Sequence, residues 1–102
     1  TAYDYAIMHS AWCFSPDGSH HLPALAEALA KGYQSARPFG VEERKALPIL
    51  GRGAALRFLL TRCLDWLETP PDALVQRKDP MPYRRRLAFY RFTDGAAILG
   101  EW

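Results

Sequence analysis

LPILGRGAALRFLLTRCLDWL, residues 47–67, is the stretch that decides the fold of this chain. Its apolar residues recur at helical spacing, and at 100° per residue they gather on one broad side of a helix. That side comprises Ala55, Leu56, Leu59, Cys63, Trp66 and Leu67, and is continued by Leu60 and Leu64. A helix that is apolar around most of its circumference packs against neighbours on most sides. The stretch therefore predicts a long central helix in an all-α domain.

The polar residues of this helix include one arginine in an unusual position. Arg57, Thr61 and Asp65 fall on the opposite face, with Arg62 at its edge, whereas Arg52 falls amid the apolar side. An unpaired guanidinium buried there would cost several kcal/mol. We therefore expect Arg52 to meet a carboxylate, a group of carbonyl oxygens or an anionic ligand.

The composition predicts one helical domain, or one piece of a larger domain, over residues 1–102. With 49% hydrophobic residues the chain can bury a core, and a net charge of only +2 does not indicate nucleic acid or an anionic membrane as a partner. There is no apolar run of the roughly 20 residues that cross a bilayer, and no signal-peptide pattern. Cys13 and Cys63 lie in apolar surroundings without metal-ligand spacing. We expect a cytoplasmic protein with reduced cysteines.

Five helices and no sheet are expected, because no run of residues alternates with period two. The predicted ranges are 3–14, 22–35, 41–46, 47–67 and 79–91. Turn residues at 15–18, 37–40 and 69–72 separate these helices. Pro48 and Pro80 suit first-turn positions, and Asp79 is the expected N-cap of the last helix. A short helical piece is expected at 73–75, and the tail after residue 92 is ambiguous.

The periodicity also predicts which side chains face the core. In the first helix these are Ile7, Ala11 and Phe14, with Met8 and Trp12 beside them. In the second they are Leu22, Leu25, Ala26, Leu29 and Tyr33. In the last helix the inward residues are Tyr83, Leu87 and Tyr90, and the arginines at 84–86 and 91 point mainly to solvent.

A search for catalytic motifs finds none that is specific. The Gly-Arg-Gly sequence at 51–53 lacks the spacing and the preceding strand of a phosphate-binding loop. The pair His20-His21 lacks the third ligand that a zinc site needs, so no metal site is expected. His9 lies among apolar residues and is predicted to be a hydrogen-bonded core histidine. From the residues alone, a non-catalytic helical binding or oligomerisation module fits the sequence.

Several spaced segments nevertheless resemble one enzyme family. They are YDYAIMHSAWCF, GYQSARPF, ALPILGRGAALRFLLTRCLDWLETPPDALV and KDPMPYRRRLAFYRF, which occur in this order. Together, over residues 1 to about 92, they resemble the C-terminal third of the bacterial homoserine kinases, a family of aminoglycoside and choline kinase-like phosphotransferases. A related kinase acting on another small alcohol is the alternative within the same group.

The resemblance implies a helical subdomain in the C-lobe of a two-lobed, protein-kinase-like fold. Such an enzyme transfers the γ-phosphate of ATP to the hydroxyl of L-homoserine, with Mg²⁺, in threonine biosynthesis. The family's catalytic loop, HGDxxxxN, and its metal-binding IDF segment do not occur in these 102 residues. ATP and Mg²⁺ would then bind mainly outside this segment, which would pack against its own N-terminal kinase lobe. Because phosphoryl transfer needs those parts, the isolated segment is expected to be inactive.

The resemblance also suggests binding residues on the central helix. Homoserine carries a carboxylate and an ammonium, and the planar fork of arginine suits a carboxylate. Arg52 is the first candidate, followed by Arg57 and Arg62. Asp65 is the candidate partner of the ammonium, or pairs with Arg62 three residues earlier. For each arginine an ion pair between helices or lobes is an equally good interpretation.

Two further residues on the first helix match the family's motifs. Asp4 matches an aspartate that braces the backbone of the catalytic loop, and it also suits an ordinary helix cap. Trp12, in the segment AWCF, is a candidate contact for the substrate, although large aromatic side chains in small helical domains usually fill the core. Tyr90 stands where the family usually has a histidine, so any role of that histidine does not carry over.

Overall fold

The computed structural model describes residues 1–70, 72 and 78–101 as five helices joined by turns. The helices are α1 (Ala2–Trp12), α2 (Pro23–Ala36), α3 (Val41–Glu68), α4 (Met81–Arg91) and α5 (Gly95–Ile98). Within this part of the chain the only extended pairing is an isolated antiparallel bridge between Phe14 and His21. The all-α prediction is confirmed, and the predicted piece at 73–75 lies outside the described residues. None of the described helices has both the length and the apolar character needed to span a bilayer.

The predicted helices at 41–46 and 47–67 are one continuous helix, α3, with Pro48 inside it. The predicted break was wrong, since the helix runs through the proline and other parts of the chain pack beside it. Pro48 has no N–H to donate to the carbonyl of Arg44. The backbone of Gly95, at the start of α5, lies against that carbonyl so closely that a Cβ at residue 95 would overlap it. Leu47, next to the proline, is fully buried.

Helices α1 and α4 pack against one side of α3. This side is lined by small residues, because Gly51, Ala54 and Ala55 are all buried. A Cβ at Gly51 would overlap the ring of Tyr90 on α4. The glycine therefore sets how closely the two helices approach.

The opposite side of α3 is exposed over its C-terminal half. Leu56, Leu60, Leu64 and Leu67 have 43%, 59%, 54% and 82% of their surface accessible. The sequence predicts neighbours on most sides of this helix. Within the described residues α1 and α4 cover the small-residue side, and for the opposite side the expectation stays a prediction.

Helix α1 buries a different face from the predicted one. Its buried residues are Ala2, Tyr5, Ala6, His9 and Ser10. The prediction was wrong for Ala11 and Trp12, which are exposed, and right for Phe14, which is buried just beyond the helix. Tyr5 and His9 count as polar in a periodicity analysis, yet their polar atoms find partners inside. The Tyr5 hydroxyl, for example, donates to the carbonyl of Ile98 at 3.0 Å.

The remaining helices lie close to their predicted positions. Helix α2 spans the predicted range, although Leu25, on its expected inner side, is 50% exposed. Helix α4 begins at Met81, so its N-cap is Pro80 and the prediction of Asp79 as N-cap was wrong by one residue. The Asp79 carboxylate nevertheless accepts a hydrogen bond from the Met81 N–H at 2.9 Å. In the ambiguous tail, Asp94 caps α5 by accepting from the N–H of Ala97 at 2.9 Å.

Candidate functional site

Arg52, the first candidate for substrate binding, contacts the C-terminal end of α4. Its Nε donates to the carbonyl of Tyr90 at 3.3 Å, and its Nη2 donates to the carbonyl of Arg91 at 3.4 Å. The last carbonyls of a helix carry partial negative charge, which favours a cation. Of the three expected kinds of partner, the structure supplies carbonyl oxygens. The side chain is also exposed, not enclosed by apolar groups.

Arg62 contacts the other end of α4. Its Nη1 donates to the carbonyl of Asp79 at 3.0 Å, and its guanidinium lies 4.6 Å from the centre of the Tyr83 ring. Among the described ion pairs there is none between Arg62 and Asp65, and Asp65 is exposed. Arg52 and Arg62 thus fasten the two ends of α4 to α3.

Arg57 differs from the other two arginines of α3. It is exposed, and none of the ion pairs within the described part of the chain includes it. Going from Arg52 to Arg57 and from Arg57 to Arg62, each step turns about 140° around the helix. The three arginines therefore do not converge on one small ligand, and Arg57 is the one whose charge is left for a group outside these residues.

The two candidates on α1, Asp4 and Trp12, lie apart from the arginines of α3 in the sequence, and both are exposed. Trp12 is 62% exposed. Asp4 belongs to a capping box at the start of α1: Thr1 Oγ1 accepts from the Asp4 N–H at 3.3 Å, and the Asp4 carboxylate accepts from the Thr1 nitrogen at 2.8 Å. The N-cap is therefore Thr1, and Asp4, predicted as a possible N-cap, is instead the third helical residue that completes the capping box; its role toward a catalytic loop stays a prediction.

A buried polar cluster joins α1, α4 and the loop between α1 and α2. Nδ1 of His9 lies 2.5 Å from the hydroxyl of Tyr90, and Nε2 of His9 lies 3.0 Å from Nε2 of His21. The ring of His21 stacks on Phe89, with 4.4 Å between ring centres. His9 is completely buried, and both its nitrogens have partners, so the prediction of a hydrogen-bonded core histidine is confirmed.

Burial keeps this cluster uncharged. Burial, and to a smaller extent the neighbouring His21, lower the pKa of His9 to about 3. Burial also lowers the pKa of His21 and raises the pKa of the Tyr90 hydroxyl well above its usual range. His21 alone reaches an open cleft of about 430 Å³, which Phe89 and Arg85 also line. The cluster therefore holds its segments together without charge, and it places no nucleophile against the cleft.

Arg86 is a structural residue that the sequence analysis missed. It was predicted to face solvent, but it is 5% exposed, and that prediction is wrong. Its Nε donates to the carbonyl of Ser10 at 2.7 Å, and its Nη2 donates to the carbonyl of Ser15 at 3.5 Å. Arg86 lies three residues after Tyr83 and four before Tyr90, so it shares the inner face of α4 with them. This spacing could have predicted its burial from the sequence.

The sequence is similar to homoserine kinases of several bacteria. It is 57% identical over 100 residues to the homoserine kinase of Methylobacterium radiotolerans, 52% over 99 residues to that of Acidiphilium cryptum, and 50% over 99 residues to that of Agrobacterium fabrum. The matches cover 97–98% of this chain and 30–31% of each relative, so the chain spans about a third of their length. No protein-family model matches the chain.

Identity of half or more along nearly the whole chain shows common descent with a class of kinases. The chain belongs to the homoserine kinase family and is a fragment of a homoserine kinase.

Proposed function

We propose that the protein to which this chain belongs phosphorylates the hydroxyl of L-homoserine with ATP. The observation that carries the proposal is the identity of 50–57% with homoserine kinases over 97–98% of the chain. In this proposal residues 1–102 form a helical subdomain of the C-lobe, pack against the N-terminal kinase lobe of the same protein and help to form the homoserine pocket. The protein would act in the cytoplasm in threonine biosynthesis.

The described residues do not by themselves fit Mg²⁺ and ATP. Among them no three His, Cys, Asp or Glu side chains converge as a metal site requires, and the chain has no glycine-rich phosphate loop. The proposal therefore places both ATP and Mg²⁺ mainly on other parts of the protein. What this segment contributes is cationic and aromatic side chains near the substrate.

The proposed substrate contacts are the exposed polar groups of α3 and α1. A guanidinium of α3 would bind the homoserine carboxylate, and Asp65 would bind the ammonium. Arg57 is favoured by its exposure and its lack of an ion pair among the described residues, whereas Arg52 and Arg62 also hold α4. Trp12 would cover the substrate, and Asp4 would brace the catalytic loop.

A chimeric kinase tests the proposed function. These 102 residues replace the matching segment of the Methylobacterium radiotolerans homoserine kinase, and ADP release is measured with L-homoserine, choline, methylthioribose and an aminoglycoside. We expect turnover with homoserine at a rate close to that of the parent enzyme. A folded chimera that is inactive with homoserine, or that prefers another alcohol, contradicts the proposal.

A further inference from the structure

The exposed side of α3 carries a regular pattern. Its outer face consists of Ile49, Gly53, Leu56, Leu60, Cys63 and Leu67. These positions follow one another at intervals of four, three, four, three and four residues, which is the spacing of a heptad repeat. Ile49 is 65% exposed and Leu67 82% exposed, so the pattern continues from one end of the face to the other.

This outer face is separate from the face that builds the core. The core side of α3 runs through Leu47, Gly51, Ala54 and Ala55, all buried, which lie on the other side of the helix. The outer face extends over 18 intervals of the helix, or about 27 Å at 1.5 Å per residue. An apolar strip of that length on a helix that is already packed on its other side marks an interaction surface.

Gly53 makes the outer face suited to another helix. A Cβ placed on this glycine would meet no atom within 4 Å, so the chain itself does not require a glycine there. In a helix interior a glycine costs about 1 kcal/mol relative to alanine. A gap in the apolar strip allows a bulky side chain of a second helix to insert between Ile49 and Leu56.

The charges beside the outer face oppose pairing with a second copy of this chain. Arg52 and Arg57 occupy the two flanking positions of the heptad, and neither belongs to an ion pair within the described residues. In a parallel pair of α3 helices, Arg52 of one copy would meet Arg57 of the other. In a symmetric antiparallel pair, the two Arg57 side chains would meet. Like charges at these positions oppose association.

We propose that the outer face of α3 binds an amphipathic helix with acidic flanks, supplied by the part of the same kinase polypeptide that lies outside these 102 residues. The inference rests on the proposed function for the existence of that polypeptide. The relatives are about three times as long as this chain, so they have ample sequence to supply such a helix. Acidic side chains on its flanks would pair with Arg52 and Arg57.

The test is carried out in the full-length chimera described above. Leu60→Cys and Leu56→Cys each place a thiol on the outer face, and Thr61→Cys places one on the next residue, about 100° around the helix and exposed. Peptide-resolved mass spectrometry measures the rate of alkylation by iodoacetamide. Two outer-face variants are used so that the test still stands if one of them does not fold.

We expect the thiol at residue 60 or 56 to react at least tenfold more slowly than the thiol at residue 61, at every protein concentration. Equal rates would overturn the inference. Protection that disappears on dilution, together with a dimer mass by light scattering, would assign the face to a second copy and would also overturn the inference.

A second variant tests the acidic flanks of the docked helix. Adding Arg57→Glu to Leu60→Cys is expected to raise the alkylation rate several-fold, and an unchanged rate would overturn the proposal that acidic side chains pair with Arg57.

Failure of this inference can be distinguished from failure of the proposed function. Homoserine-dependent ADP release is measured on the chimera without cysteine substitutions. An active chimera with a freely reactive residue 60 refutes only the docking of a helix. A chimera that is protected at residue 60 but inactive with homoserine refutes only the proposed substrate.

Discussion

The residue His9 makes the stability of the chain depend on pH. Its folded-state pKa of about 3 lies below the value of about 6.5 expected when it is unfolded. Above pH 6.5 neither state binds the proton, and the full stability is present. As the pH falls below 6.5, the unfolded state binds a proton that the folded state does not, so stability falls until the pH reaches the folded pKa.

Acid should therefore destabilise this chain through His9. Between pH 7.5 and pH 5 we expect a loss of about 2 kcal/mol from this residue. Urea unfolding of the 102-residue chain at the two pH values, followed by circular dichroism, measures the loss. The variant His9→Gln should show a smaller loss, and His20→Gln, at an exposed loop position, serves as the matched control. An unchanged pH dependence in His9→Gln would contradict this account.

Among the arginines of α3, substitutions should distinguish a residue that stabilises the fold from one that binds the substrate. Arg57 has no ion pair in the described part of the chain, whereas Arg52 holds the end of α4. A hydrogen bond between an ionised pair contributes about 1.5–3 kcal/mol, which corresponds to a factor of ten or more in affinity. In the chimera we expect Arg57→Gln to raise the KM for homoserine roughly tenfold and to leave the KM for ATP nearly unchanged.

Arg52→Gln provides the comparison in the same kinase. We expect it to raise the KM for homoserine more than that for ATP and also to lower the melting temperature, because the carbonyls at the end of α4 lose their donor. Steady-state kinetics and thermal unfolding are measured on both variants. Unchanged homoserine kinetics would remove the substituted arginine from the proposed pocket.

At the scale of the element, the packing and stability of α3 depend on glycines, which an analysis of hydrophobic periodicity does not take into account. Gly51 and Gly53 lie two residues apart on the same helix, but a Cβ would overlap Tyr90 at the first position and meet nothing at the second. Alanine favours the helix over glycine by about 1 kcal/mol. Overpacking a buried contact costs about 1–3 kcal/mol.

These two glycines should therefore respond in opposite directions to alanine. In the 102-residue chain Gly53→Ala should raise the free energy of unfolding by about 1 kcal/mol. Gly51→Ala should lower it by about 1 kcal/mol or more, because the overlap with the Tyr90 ring outweighs the gain in helix propensity. Chemical denaturation of both variants measures the difference. Stabilisation by both would mean that α4 shifts freely away from α3.

The elements themselves were predictable where local chemistry decides them. Turn residues gave the ends of α1 and α2, and Asp79 marked the start of α4. The continuity of α3 through Pro48 was not predicted, because a proline is typical of the first turn of a helix and removes one backbone N–H from a helix interior. The inner face of α1 was missed for another reason, since His9 is buried through partners more than ten residues away in sequence.

The candidate site was predictable in part. The sequence identified the arginines of α3 and the need of Arg52 for a partner, but it did not show that carbonyls of α4 would provide it. Arg86 was placed in solvent as one of three consecutive arginines, whereas its spacing from Tyr83 and Tyr90 puts it inside. Local composition misled here because burial of an arginine depends on carbonyl groups from other segments.

At the scale of the whole molecule, the chain has a helical core, and the proposed function places the parts that transfer the phosphoryl group outside it. Its 102 residues contain no HGDxxxxN or IDF motif, and the described residues have no cluster of metal ligands. We expect the isolated chain to release no ADP from ATP with homoserine, whereas the chimera does. The same coupled assay, at equal molar concentrations, checks both. Turnover by the isolated chain would contradict the assignment of roles.

The two faces of α3 should have evolved under separate constraints. Substitutions at residues 51, 54 and 55 change the space available to α1 and α4, so compensating changes in related sequences should occur within this chain. Substitutions at residues 53, 56, 60 and 67 should instead vary together with positions elsewhere in the kinase. An alignment of full-length relatives would then divide α3 into two groups of covarying positions that alternate along the helix.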